Sequence, residues 1–263
     1  MMSVEQIGQV FVKATRFLHP ESVHVDHDGI RHDRAFALVE ADDKFVGSPE
    51  HSTFIPLKFN FDAGRDSLQL TLPDGRVIDG PGAAGASTFK IDHIGLRDIE
   101  VAEVPGPWQE ILTTHAGRPV RLVRCLSAQA AIDVLPVTFV TTGSLERLER
   151  EVGAPVDAAR FRAGFVIKND VEHEEDNWDG RMLRIGAVQL RVRTAVPRCA
   201  ITGFNPASGD RDQDVMKTLI RYRDEATLPD GMLPDYATPG FATYAEVIET
   251  GKVQVGDEVA LLD

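Results

Sequence analysis

Residues 186–202 read Gly-Ala-Val-Gln-Leu-Arg-Val-Arg-Thr-Ala-Val-Pro-Arg-Cys-Ala-Ile-Thr. Val188, Leu190 and Val192 alternate with Gln189, Arg191 and Arg193, the period of two that marks a strand with one buried face. Directly after this strand stands Cys199, preceded by the rigid Pro197 and flanked by Arg198. A thiol beside a guanidinium suits a low-pKa thiolate, hence a nucleophile or a ligand for a soft metal. An inert buried cysteine is the other reading, because small thiols are common core residues. On this stretch alone both readings stay open.

Short elements flank it on either side. Residues 165–167 form an apolar strand, and residues 144–152 (SLERLEREV) form a helix. In that helix Leu145, Leu148 and Val152 share a face, Glu146 and Arg150 pair at i,i+4, and Gly153 supplies the stop. A second helix is expected over residues 212–223, with Val215, Met216, Leu219 and Ile220 inward and Arg221 and Arg223 at the negative end of the dipole. In residues 251–262, Val253, Val255 and Val259 alternate around a Gly256-Asp257 turn, a pattern for strands that close a barrel. Nearer the N-terminus, residues 35–39 read as a strand, and Pro73-Asp74-Gly75 joins two strands in a hairpin. Pro107 opens a helix carrying Trp108, Ile111, Leu112 and His115 on one face and ending at Gly117, and residues 120–124 return as a strand. The expected class is α+β and β-rich, with a β-barrel-like unit over residues 1–100 and a second β-barrel with flanking helices over 101–263. No P-loop or dinucleotide fingerprint is present.

The chain has 263 residues, 41 acidic and 28 basic, for a formal net charge of −13. Apolar residues make up 43% and charged residues 26%, the balance of a globular chain. So acidic a protein is no generic binder of nucleic acid or anionic membrane, and any anionic ligand needs a local basic pocket. Two cysteines exclude a disulfide scaffold, a four-thiolate zinc site and a cysteine-held iron–sulfur cluster. Cys125, set in Leu-Val-Arg-Cys-Leu, reads as an inert core thiol. The first residues lack the basic-then-apolar pattern of a signal peptide, and no run reaches the roughly 20 apolar residues of a membrane span. The expected setting is cytoplasmic.

Three further clusters bear on chemistry. His24 to Arg34 holds three histidines and three aspartates, yet in no zinc spacing, and reads as a polar turn before a strand. Residues 170–179 (DVEHEEDNWD) read as a loop that docks through Trp178, with the possibility of rimming a cleft. Arg160, Arg162, Arg181, Arg184, Arg191, Arg193 and Arg198 enrich this half in guanidinium groups. Their planar forks suit phosphate and carboxylate, and some would neutralise the acidic loop. Arg198 is counted among the ligand-binding candidates.

A family resemblance joins these pieces. Arg160-Phe161-Arg162, Glu175-Asp176-Asn177-Trp178, Leu183-Arg184-Ile185-Gly186, Pro197 to Thr202, Asn205-Pro206-Ala207-Ser208-Gly209, Leu219 to Arg223 and Gly251 to Val259 stand in the order of the MOSC domain. This domain is the C-terminal module of molybdenum-cofactor sulfurases and also occurs in amidoxime-reducing components. Gly29 to Leu38 resembles the β-barrel domain that precedes it in these proteins. The resemblance implies that Cys199 ligates molybdenum and that Lys13 and Arg34 lie on the phosphate side of the pterin cofactor. It implies that Thr142, Ser144, Arg160 and Arg162 help line that cofactor. The sequence departs from the family pattern at Gly164, where Asn is common, and at Val196-Pro197, where many members have a second cysteine. It also has Phe11-Val12-Lys13-Ala14 in place of the usual Tyr-Pro-Val-Lys-Ser run.

The implied activity is reduction of a small N-oxygenated substrate by oxygen-atom transfer, with electrons from an external donor protein. The alternative is a non-catalytic carrier of sulfur or molybdenum cofactor that uses Cys199. A plain β-barrel interaction module with an inert Cys199 is the third reading.

Overall fold

The computed structural model describes residues 1–47, 49–93, 95–128, 130–226 and 238–262. The alternating run becomes a ten-residue strand, Val188–Pro197, in which Val188, Leu190 and Val192 are fully buried. It pairs antiparallel with Met182–Ile185 on one side and with Gly240–Glu249 on the other. Val137–Thr141, Phe165–Lys168, Met2–Ile7 and Glu258–Leu262 complete a closed barrel of seven strands among the described residues. Within the barrel, among the described residues, only Val137–Thr141 and Phe165–Lys168 run parallel, Phe139 opposite Phe165. A parallel pair needs a long crossover, and here the crossover includes the Thr142–Val152 helix. Trp178 fills the barrel interior against Phe139, ring centroids 6.0 Å apart, so the acidic loop does dock through its one large aromatic.

The helices follow their patterns with two corrections. In Thr142–Val152, Thr141 caps the N-terminus and Gly153 (φ 77°) ends the helix with its N–H on the Glu149 carbonyl. Arg150 does not pair with Glu146; its guanidinium reaches Glu172 in the acidic loop, while Arg147 and Glu151 form an i,i+4 pair. The later helix is shorter than expected, Val215–Tyr222. Val215 and Leu219 are buried but Ile220 is 64% exposed. At about 100° per residue it stands well off the stripe set by Val215, Thr218 and Leu219. The C-terminal strands also divide. Glu258–Leu262 closes the barrel, whereas Gly251–Gln254 pairs with Ser22–Asp26 in a separate three-stranded sheet, because Val253 faces Val23 there.

The N-terminal part is a half-barrel of two sheets. Phe36–Glu40, Val120–Cys125, Arg97–Glu103 and Thr88–His93 form one sheet, and Lys58–Asp62, Ser67–Thr71 and Val77–Pro81 form the other. The helix Trp108–Ala116 packs Trp108 and Leu112 into the core they share with Phe36, Phe59 and Leu122. The chain passes between the two bodies more than once. Met2–Ile7 belongs to the closed barrel, and residues 108–125, beyond residue 100, complete the half-barrel and its core. The junction between the bodies is thus built from strands and loops of both.

Candidate functional site

Cys199 lies at that junction. Pro197 ends the long strand, and the Arg198 N–H donates to the Pro239 carbonyl at 3.1 Å. Cys199 then caps a short helical turn, Ala200–Gly203, and its carbonyl accepts from Thr202 N and Thr202 Oγ1 at 3.3 and 3.1 Å. The backbone is pinned while the side chain is exposed, so the buried-cysteine reading does not hold for Cys199. It does hold for Cys125, which is buried and whose thiol burial pushes up to about 11.

Cys199 opens on a cavity of about 150 Å³. Around it stand Lys13 and Arg34 from the N-terminal part, the 132–136 loop, Arg160 and Arg162, Arg198 and Tyr244. Six of the eight residues singled out in the sequence are brought together: Lys13, Arg34, Arg160, Arg162, Arg198 and Cys199. Thr142 and Ser144 are not among them. Thr142 Oγ1 donates to the Asn169 carbonyl at 3.0 Å, and Ser144 Oγ donates to Glu175 Oε1 at 2.6 Å, so both hydroxyls serve the start of their helix. Nor does the acidic loop rim the cavity. Its carboxylates tie down helices instead, with Asp176 on Arg223 at 2.6 Å and Glu172 on Arg150.

Arg162 and Arg198 are held by backbone carbonyls and Arg160 chiefly by a carboxylate, and each has nitrogen to spare. Arg198 donates through Nε to Phe241 O at 2.6 Å and through Nη1 to Phe161 O at 2.9 Å. Arg162 donates through Nη1 to Thr15 O at 3.0 Å, and Arg160 donates to Asp212 at 2.8 Å. Arg198 Nη2, Arg162 Nη2 and Arg160 Nε are buried with no hydrogen-bond partner. Burial, aided at Arg162 by the neighbouring Arg34, lowers Arg162 to about 9; burial likewise lowers Arg198 to about 10. Arg34 pairs with Asp33 and donates to the Arg162 carbonyl at 3.3 Å. Both Arg34 (φ 52°) and Arg162 (φ 53°) occupy the left-handed region, as do Ala14 (φ 69°) and Ala242 (φ 63°) beside the site. Each such residue costs on the order of 1–3 kcal/mol and is kept only where the surroundings enforce it.

Two functional neighbours escaped the sequence reading. Lys13 Nζ contacts Asp133, donates to the Ala131 carbonyl at 2.6 Å and lies 3.4 Å from His93 Nε2. His93 is fully buried and its Nε2 stands 3.3 Å from Asp133 Oδ1. Burial lowers Lys13 to about 8 against the pull of Asp133. No spacing could have revealed this group, because its members lie 80 and 120 positions from Lys13. The His24–Arg34 stretch is a small hairpin whose Arg31 pairs with Asp26 at 2.8 Å, and among the described residues no three His, Cys, Asp or Glu side chains converge as metal ligands.

A pinned, exposed thiol and a cluster of buried cations share one cavity at the barrel junction, an arrangement that can receive an anion. Residues 130–260 match the MOSC domain family, and the chain is a MOSC-domain protein. The mitochondrial amidoxime reducing component 2 of Bos taurus is 32% identical over 208 residues, covering 73% of this chain and 60% of that protein. Component 1 of Xenopus laevis is 32% identical over 142 residues, covering 53% and 40%. Component 2 of Homo sapiens is 33% identical over 129 residues, covering 48% and 37%. The chain therefore spans less than two thirds of the length of these curated relatives. Among solved structures, the YUAD protein of Bacillus subtilis aligns over 98% of this chain and 94% of that one, at 10% identity and a TM-score of 0.43. YiiM of Geobacillus stearothermophilus aligns over 50% and 55%, at 16% identity and a TM-score of 0.35.

Proposed function

We propose that the protein is a molybdenum-cofactor-dependent reductase of small N-oxygenated compounds, with Cys199 as the protein ligand to the metal. One observation carries the reading: three arginines that line the cavity on which the exposed Cys199 opens each keep a buried guanidinium nitrogen without a partner. Arg160 pairs with Asp212, but Arg162 and Arg198 are buried cations held by carbonyls alone, and such cations are costly unless an anion completes them. A phosphate-bearing pterin is such an anion, and a thiolate is a suitable donor to a high-valent metal. In this reading Lys13, Arg34, Arg160, Arg162 and Arg198 hold the cofactor, and Thr142 and Ser144 stabilise the adjoining helix. The names of the relatives, amidoxime-reducing components, support the same class of substrate.

When bound, the cofactor would supply two-electron oxygen-atom transfer. The protein's own groups orient and charge-balance it. Carbonyls of Phe241, Phe161 and Thr15 fix the arginine forks so that their free nitrogens need no reorganisation on binding. Reduction of an N-hydroxyl compound to the amine and water consumes two electrons and two protons. Electrons come from an external donor protein. Lys13, lowered to about 8 and linked to His93 and Asp133, can hold or release a proton at Nζ near neutral pH. The proposed setting is cytoplasmic; no helix among the described residues is long and apolar enough to cross a membrane.

The test is benzamidoxime reduction with a chemical electron donor, using protein made in a host that synthesises the cofactor. Turnover by wild type and its loss in Cys199→Ala support the reading. Bound cofactor or cyanide-releasable sulfur without turnover would instead establish the carrier alternative.

A further inference from the structure

A wider cleft, of about 640 Å³, opens beside the Cys199 cavity. A small pocket of about 20 Å³ borders both: it shares Arg160, Arg162 and Ile201 with the cavity, and Arg16, Phe17, Ala159 and Pro206 with the cleft. Phe17 is the dividing wall. Its ring is 5% exposed, with the Arg162 and Arg34 guanidinium carbons 4.7 and 5.4 Å from its centroid. Gly8 lets the ring seat there, since a Cβ at that position would lie 2.8 Å from Phe17 Cδ1 and 2.3 Å from the Ala163 carbonyl oxygen.

The cleft has a definite chemistry. Phe11 and Phe61 line it, their rings edge to face at 6.0 Å. Arg16 and Lys58 line it too; both are exposed, and among the described residues neither forms an ion pair. The nearby carboxylate, Asp157, is engaged as a cap, accepting from Ala159 N at 2.8 Å. On a chain of net charge −13, two unpaired cations beside aromatic walls are a local reversal of sign. Aromatic walls favour a flat ring, and an Arg–Lys pair favours a carboxylate on it.

Resting on the reading of Cys199 as the reacting end, we infer that this cleft selects substrates whose aromatic tail carries a carboxylate. The tail lies against Phe11 and Phe61 with its carboxylate on Arg16 and Lys58, while the N-oxygenated end passes the Phe17 wall toward Cys199. The test titrates the full chain with 4-carboxybenzamidoxime and with neutral benzamidoxime, followed by ligand-observed NMR, which needs no turnover. Wild type should bind the carboxylate roughly three- to tenfold more tightly, the range for one or two partly exposed charge contacts. The ratio should fall toward one in Arg16→Gln/Lys58→Gln, and also in wild type at high salt. A ratio near one in wild type at low salt, or a ratio that survives the double substitution, overturns the inference. If the ratio behaves as expected but benzamidoxime is never reduced, the cleft stands and the reductase reading falls. If benzamidoxime is reduced and the ratio is one, the reverse holds.

Discussion

Arg160 Nε, Arg162 Nη2 and Arg198 Nη2 are the residues' clearest statement of function, because each is a buried donor with nothing to donate to. A stranded buried donor costs about 1–3 kcal/mol, more when charged, so the folded chain gives up stability to hold them. An anion that enters the cavity returns that stability by mass action. Lys13 adds a pH dependence whose sign is fixed: burial brings its ammonium down from 10.5 to about 8, so its charge is present below that pH and lost above it. Sulfate, whose own charge does not change in this range, should raise the Tm of the protein at pH 7 and do so less as pH passes about 8. Lys13→Met should flatten that step. A thermal shift that is independent of pH in wild type would argue that Lys13 does not face the anion.

Among the elements, the Thr142–Val152 helix shows how a polar cluster organises structure beside the site. Glu175 is buried at its N-terminus, where Thr141 Oγ1 donates to Oε2 at 2.8 Å and Ser144 Oγ to Oε1 at 2.6 Å. Burial raises the Glu175 carboxyl above its usual range in spite of these donors. The folded state therefore holds this proton more tightly than the unfolded chain, and Glu175 contributes less stability as pH rises out of the carboxylate range. Glu175→Gln should cost under about 1 kcal/mol at pH 8 and reduce the fall in stability between pH 5 and 8. Glu175→Ala takes the acceptor from the Ser144 hydroxyl and the Thr141 N–H and should cost about 2–4 kcal/mol. Urea unfolding at both pH values checks this; equal losses for Gln and Ala would contradict it. The same helix marks what a sequence shows and hides. Its Gly153 stop and apolar stripe are local and legible, as is the alternation over residues 188–193, whereas the Thr141 cap is not marked in the pattern. Thr142 and Ser144 lie outside the lining of the cavity, because the tertiary fold brings Glu175 across to Ser144 and Asn169 across to Thr142.

For the whole molecule, the decisive feature is the junction. Lys13 reaches the Ala131 carbonyl at 2.6 Å, Arg162 reaches Thr15 O at 3.0 Å, and Arg34 reaches the Arg162 carbonyl at 3.3 Å, so the cavity and the contact between the two bodies are one structure. Local alternation made each set of strands readable, and the ordered motifs made the family readable. The passage of Met2–Ile7 into the closed barrel was not, since strand pairing across some 160 residues leaves no periodic trace. In the proposed function this junction holds a molybdenum cofactor through Cys199. Metal analysis of wild type and Cys199→Ala, both made in a cofactor-competent host, tests it most directly. About one molybdenum per wild-type chain is expected, the single-site stoichiometry of one thiolate ligand, with a large loss in the variant. Folded wild type containing no molybdenum, or a variant that retains the full amount, would contradict it.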